Sequence, residues 1–221
     1  MVDGNDGGLN ITRDMGDTWR FTEKLPVGQF YHINVDNEMP YNVYGGMQDN
    51  GSWVGPAYVF NYAGIRNHDW QELSFGDGFD VAPIPSDSRY GYTMSQQGNV
   101  TRYDRVSGYT KSVKPTSPDT SITLRFNWNA PVALDPHDAD GVYYGSQHLH
   151  YSSNRGDDWE VLSPDLSTND PEKQKQNASG GLTIDATGAE NHTTTLAIAP
   201  SPVDKNVIWV GTDDGNVQVT Q

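Results

Sequence analysis

Short runs of alternating apolar and polar residues come in pairs along this chain. Tyr31 to Val35 leads to Asn42 to Gly46, Val81 to Ile84 to Tyr90 to Met94, Val132 to Leu134 to Val142 to Gly145, and Leu196 to Ile198 to Val207 to Gly211. Alternation with period two predicts half-buried strands. The links between partners carry Pro and Asp (Asp36 to Pro40, Pro85 to Asp87, Asp135-Pro136, Pro200 to Pro202), which are turn formers. A similar turn follows each pair, and one more stands near the start: Asn5 to Thr12 matches Asp213 to Thr220, with Gln97 to Tyr103, Ser146 to Tyr151 and Asn50 to Trp53 between them. Taking positions 7, 51, 98, 147 and 215 as equivalent gives spacings of 44, 47, 49 and 68.

A second pattern sets the register inside each repeat. Thr12-Arg13-Asp14-Met15-Gly16-Asp17-Thr18-Trp19 fits the Asp-box pattern: Ser or Thr, any residue, Asp, any residue, Gly, two residues, Trp. Ser152 to Trp159 fits it with Asn154 in place of the Asp, followed by Gly156 and Trp159. Gly64 to Trp70 and Val106 to Tyr109 read as decayed copies. The Gly permits a tight turn, the Asp accepts hydrogen bonds from turn amides, and the Trp can pack into the sheet. Asp14, Gly16, Trp19, Asn154, Gly156 and Trp159 are therefore structural positions. Each unit reads strand A, turn, strand B, short loop, strand C, box turn, strand D.

A four-stranded antiparallel unit repeated at roughly 40–50 residues predicts an all-β fold, a β-propeller of four-stranded blades. About four blades' worth is present in one domain spanning 1–221, with blade pieces at 1–25 (strands C and D from residue 7), 30–74, 79–114, 130–163 and 193–221. The two ends would either complete one blade together and close a small ring, or belong to an open arc. An open arc exposes sheet edges that invite pairing with another chain or with further blades. The polar stretch 164–192 is an insertion, with a short helical turn expected at Glu172 to Gln176. A loop this long is expected to be a lid or a partner contact.

Composition narrows the partners. Lys+Arg 14 against Asp+Glu 29 leaves a net charge of -15, which repels phosphate backbones and disfavours nucleic acid. No apolar run reaches the roughly 18 residues that span a membrane. With no cysteine, disulfides and thiolate metal sites are excluded. A mean hydropathy of -0.70 with 23 Gly, 13 Pro and 12 Tyr suits many turns and aromatic strands. The first residues carry neither a basic nor an apolar segment, so they are not a signal peptide. The chain reads as a fragment or a mature piece of something longer.

The runs Gly45 to Pro56, Arg125 to Pro131, Ser163 to Pro171 and Val210 to Gly215 resemble the sortilin-type, bacterial-neuraminidase-repeat propeller proteins of bacteria, across essentially the whole chain. The resemblance implies an exported protein, extracellular or periplasmic, longer than this chain and of a group often labelled glycosyl hydrolase. The box marks a fold and not an active site, so that label needs a site of its own. Sialidases share the box but use an arginine trio and a Tyr–Glu pair. Arg13 and Arg155 lie inside boxes and no Arg-Ile-Pro motif occurs, so sialidase activity is not expected. Xyloglucan-cleaving propeller enzymes set two Asp across a cleft between two propellers, of which this chain would supply one at most. Animal sortilins bind peptides beside a Cys-rich domain that has no counterpart in a cysteine-free chain.

In a propeller the D-to-A and B-to-C loops share one face, and ligands gather where loops from several blades converge. That face should carry Gln48, Asp49 and Asn50; Asp77 and Asp80; Gln96 and Gln97; Arg125, Asn127, Trp128 and Asn129; Gln147 and His148; Asp213 and Asp214; and His192. Amides and carboxylates bond hydroxyls, and Trp stacks on a pyranose, so the set suits a glycan. The same residue types also serve as turn formers. Asp49, Asp77 and Asp80 are the candidates for a paired-carboxylate hydrolysis. His148 and His150 project to one side of a strand and read as a stacked or hydrogen-bonded pair, and Asp135 to Asp140 as an A-to-B turn, so no metal site and no cofactor is expected. The leading reading is a glycan- or protein-binding module, with a glycoside hydrolase fragment or a scaffold that pairs with further blades as alternatives.

Overall fold

In the computed structural model, which describes residues 1–5, 7–23, 25, 27–175 and 191–220, the alternating runs form antiparallel sheets. The first sheet holds β1 (Val2–Asn5), β2 (Gly8–Ile11) and β3 (Arg20–Phe21). The second holds β4 (Phe30–Val35), β5 (Asn42–Met47), β6 (Gly51–Pro56) and β7 (Gln71–Ser74). The third holds β8 (Gly78–Pro83), β9 (Tyr90–Ser95), β10 (Asn99–Asp104) and β11 (Tyr109–Ser112). The fourth holds β12 (Val132–Leu134), β13 (Val142–Gly145), β14 (Leu149–Ser152) and β15 (Glu160–Val161). The last holds β16 (Thr195–Pro200), β17 (Ile208–Thr212) and β18 (Val217–Val219). Strand order follows the chain in every sheet, as in a propeller blade running from its inner to its outer strand.

Among the described residues, three sheets are thus complete blades and the two end sheets are not. The box turn lies between β2 and β3, so β1 is a B strand, and the first sheet runs B-C-D instead of the C and D strands expected from residue 7. Its pairing Val2↔Ile11 to Asn5↔Gly8 ends on the Asn5 carboxamide oxygen, which accepts the Gly7 amide at 2.9 Å. The last sheet runs A-B-C. B-C-D and A-B-C duplicate each other's middle strands, so the ends remain separate sheets, and the row of blades stays open.

Side chains alternate between the two faces of each blade, and each facing pair of blades seals its own apolar layer. Tyr44, Val54 and Leu73 of the second sheet meet Val81 and Tyr103 of the third. Ile84, Tyr92, Met94 and Val100 of the third meet Val132, Val142 and Tyr144 of the fourth, with Phe126 closing the end. Tyr143 and Leu149 meet Ile208 and Val210 of the last. The first sheet joins none of these layers, and among its described residues only Thr12 is buried.

The two box turns share one hydrogen-bond plan. The Thr12 hydroxyl donates to Asp14 at 2.7 Å and accepts the Gly16 amide at 2.9 Å, while the Asp14 carboxylate accepts the Thr18 amide at 2.9 Å. Ser152 donates to Asn154 at 2.9 Å and accepts the Gly156 amide at 2.8 Å, while Asn154 accepts the Asp158 amide at 2.9 Å. The tryptophans differ. The Trp159 indole donates to the Val113 carbonyl of the preceding blade at 2.7 Å, but Trp19 is 48% exposed because no described sheet stands in front of its own.

The Asp-to-Asn exchange at 154 has a local cause. Position 18 is a threonine whose hydroxyl donates to Asp14, whereas position 158 is an aspartate that accepts from the Asn154 amide at 2.8 Å. Asn154→Asp would turn that bond into a carboxylate pair and should cost about 1 kcal/mol in urea unfolding. Adding Asp158→Thr should restore the loss, and a single variant as stable as wild type would count against this account.

Candidate functional site

The loops β5–β6, β7–β8, β11–β12, β13–β14 and β17–β18 gather on the face away from the box turns. Tyr31, on the inner strand β4, stands at the edge of this face with its ring 4.7 Å from Phe79 of β8. Phe79 in turn meets Trp128, from the β11–β12 loop, edge-on at 6.0 Å and 73°. Together with Asn127, Asn129, Asn191, His192 and Asp213 these rings line an open cleft of about 360 Å³.

Asp77 ties the cleft together from beneath. Its carboxylate accepts the Trp128 indole N–H at 3.2 Å and the Asp49 amide at 3.1 Å, while its own amide donates to Gln96 at 2.9 Å. One residue, through its carboxylate and its backbone amide, therefore joins the β5–β6, β7–β8, β9–β10 and β11–β12 loops. The Tyr31 hydroxyl donates to Gln48, and its pKa is raised by burial and then by the nearby charges of Asp77 and Asp49. Asn50 turns inward on its own loop, donating to the Gln48 carbonyl at 2.9 Å.

Most of the other expected ligand residues brace loops. Arg125 pairs with Asp165 at 2.7 Å, and its amide donates to the Gln147 side chain at 2.8 Å. Gln147 donates back to the Thr123 carbonyl at 3.0 Å. The Asn127 amide donates to Thr194 at 3.0 Å and to Asp213 at 3.2 Å, and Asp213 also accepts the Thr194 amide at 3.0 Å. Asp214 accepts the Thr212 hydroxyl at 2.5 Å and the Thr168 amide at 2.6 Å, and these bonds hold its carboxyl below the ordinary range against the opposing effect of its burial. Arg125, Gln147 and His148 border a second cavity of about 620 Å³ with Asp165, Asn169 and His192. Residues 171–174 form a turn there, and the Gln176 end of the expected helical turn and the middle of the insertion lie outside the described residues.

Asp80 occupies another place. It sits within the inner strand β8, not on a loop with Asp77, and accepts the Asn34 amide at 3.1 Å. The cavity beside it, about 430 Å³, is lined by His32, Asn34, Val35, Ala82, Val132 and Leu134 of the inner strands. Burial raises the Asp80 pKa, and His32 and the Asn34 bond oppose the rise. His32 also contacts the Asn129 amide at 2.9 Å, so this inner-strand group reaches the edge of the aromatic cleft.

The His148 and His150 rings lie edge to face with centroids 6.4 Å apart. His150 bonds the Ser146 hydroxyl at 2.7 Å and His148 the Ser163 carbonyl at 3.2 Å, and among the described residues no group of three or more His, Cys, Asp or Glu is arranged so that it could hold a metal ion. Asp135 serves an A-to-B turn, accepting the His137 amide at 2.8 Å and the Tyr151 hydroxyl at 3.1 Å. Tyr31, Phe79, His32 and Asn191 were not among the sequence candidates. For Tyr31 and His32 the signal was available, because both fall on an A strand, which lines the centre of a propeller.

No family model matches the chain, and no curated protein matches its sequence. Solved structures do match. The GH74 xyloglucanase from Xanthomonas campestris aligns at a TM-score of 0.54 and 16% identity, over 99% of this chain and 34% of the xyloglucanase. Sqt1 from Chaetomium thermophilum aligns at 0.53 and 16%, over 99% of this chain and 52% of Sqt1. This chain thus spans about a third of one and half of the other. With the sheet order above, these likenesses define the class: a β-propeller segment with an unclosed row of four-stranded blades.

Proposed function

We propose that this chain is a glycan-binding segment of an exported propeller protein of the sortilin-type, bacterial-neuraminidase-repeat group. The observation that carries the reading is the cleft in which Tyr31 and Trp128 stand beside Asn127, Asn129, His192 and Asp213. Aromatic rings supply stacking surface for a pyranose, and the amides, imidazole and carboxylate supply bonds for its hydroxyls. The bonds through Asp77 hold Trp128 in place before a ligand arrives, which limits the ordering cost of binding.

Calorimetry with a panel of neutral oligosaccharides, xyloglucan fragments included, tests the reading. Trp128→Ala and Asn129→Ala should each weaken binding about tenfold, or about 1.4 kcal/mol. A panel without a binder, or variants that bind as wild type does, would overturn it. Hydrolysis is the second reading, favoured by the raised pKa of Asp80, a property that suits a general acid. Release of reducing ends that disappears in Asp80→Asn while binding persists would establish it in place of simple binding.

A further inference from the structure

On the opposite face, where the box turns lie, the second blade carries an exposed apolar group that none of the interblade layers uses. The β6–β7 loop presents Tyr58, Phe60 and Tyr62 in alternation, and the β4–β5 turn presents Met39 and Tyr41. Met39 is 94% exposed, Phe60 93%, and Tyr62 is fully exposed. The Ala57 amide donates to the Tyr41 carbonyl at 3.0 Å, which sets loop and turn side by side. A soluble surface seldom spends this many large apolar side chains in one place without a partner.

The chemistry of the group selects among occupants. Tyr58 and Phe60 meet edge to face at 5.0 Å and 87°, forming one packed aromatic pair. Met39 and Phe60 have no polar group to bond hydroxyls. A chain of net charge -15 is repelled by nucleic acid and by anionic lipid. Tyr, Phe and Met are the residues enriched at the centres of protein interfaces. Glu38, next to Met39, accepts the Ser88 hydroxyl at 3.1 Å, and Asp87 stands on the same neighbouring turn, so one rim of the group is acidic. At the far end of the loop Arg66 and Asp69 offset each other in charge.

We propose that this face of the second blade docks a protein segment with apolar anchors flanked by Lys or Arg, the anchors resting on Met39, Phe60 and Tyr62 and the basic residues meeting Glu38 and Asp87. This surface is separate from the glycan cleft and does not depend on it.

The test pans a phage-displayed library of random peptides, roughly a dozen residues long, on the whole chain. Counter-selection uses the Phe60→Ser/Tyr62→Ser double variant. Both side chains are exposed, so the variant should keep the wild-type urea midpoint, and Tyr62→Ser alone replaces it if the midpoint falls. The expected peptides pair an aromatic or aliphatic residue with Lys or Arg and lose at least about tenfold in affinity to the variant and to Met39→Ser. They also bind more weakly as salt rises, because exposed charges are screened. Peptides that do not distinguish the variant, or that are as often acidic as basic, would overturn the proposal. So would phosphatidylcholine vesicles or oligosaccharides that bind through these residues, or a wild-type dimer in sedimentation that the double variant abolishes.

Discussion

Gly46→Val should open the joint between the second and third blades and cost on the order of 3 kcal/mol or more, beyond the usual range for an overpacked core. A Cβ at Gly46 would stand 2.3 Å from both the Gly78 carbonyl carbon and the Phe79 amide nitrogen, and 2.5 Å from the Phe79 oxygen. A second close approach lies alongside it, where a Cβ at Gly78 would stand 2.3 Å from the Gly51 oxygen of β6. These are backbone atoms and cannot swing aside. Relief requires moving β5 away from β8, which strips contacts from the layer of Tyr44, Val54, Leu73, Val81 and Tyr103. It also moves Phe79, which joins the Tyr31 and Trp128 rings in the cleft, so glycan affinity should fall with stability. Urea unfolding followed by tryptophan fluorescence reads the loss. Gly211→Ala is the control, because a Cβ there would meet only Ala197 at 3.8 Å. A Gly46→Val midpoint equal to that of the control would sink the account.

The same glycines show why the blades were legible in the sequence while parts of the site were not. A turn that needs a positive φ writes a glycine into the chain at a fixed place, as at Gly16 (+107°) and Gly156 (+83°), and spacing alone then recovers the repeat. Strand β1 left no such mark. Val2-Asp3-Gly4-Asn5 has little β propensity, and it pairs with β2 through its backbone. Gly76-Asp77-Gly78 reads as a loop that should carry Asp80 with it. The strand begins at Gly78, because the close approach to Gly51 needs a residue without a side chain, and that moves Asp80 onto the inner wall.

The ligand-face residues fail to declare themselves for another reason. Asn127, Arg125, Asp213 and Asp214 have side chains suited to sugars, yet each has a partner 40 to 86 positions away in the chain. A bond over that separation leaves no local pattern. Residue type therefore could not separate the braces, such as Arg125 on Asp165, from the cleft wall, such as Asn129 beside His32.

Acidification from pH 7 to pH 5 should remove about 2 kcal/mol of stability through His150 alone, and about 3 kcal/mol by pH 4 and below. The ring is 1% exposed, lies edge-on to Trp159 at 6.5 Å and bonds the Ser146 hydroxyl. Burial first, and the neighbouring His148 second, lower its pKa from 6.5 to about 4. Between those values the unfolded chain takes up a proton that the folded chain refuses, so stability falls as pH falls. The contribution is complete above about pH 6.5 and is lost progressively toward pH 4. Lowered carboxyls such as Asp36 and Asp165 shift the balance in the same direction, but only as pH drops below their ordinary 3.8. Asp80, raised by burial, works in the opposite sense, gaining stability as it takes up a proton above 3.8. Wild type and a His150 variant share Asp80, so the difference between their pH profiles from pH 7 to pH 5 isolates the histidine. His150→Gln keeps a partner for Ser146 but has no proton to gain, so the wild-type urea midpoint should fall across that interval by more than the variant's does. Equal slopes for the two proteins would show that the pH dependence lies elsewhere.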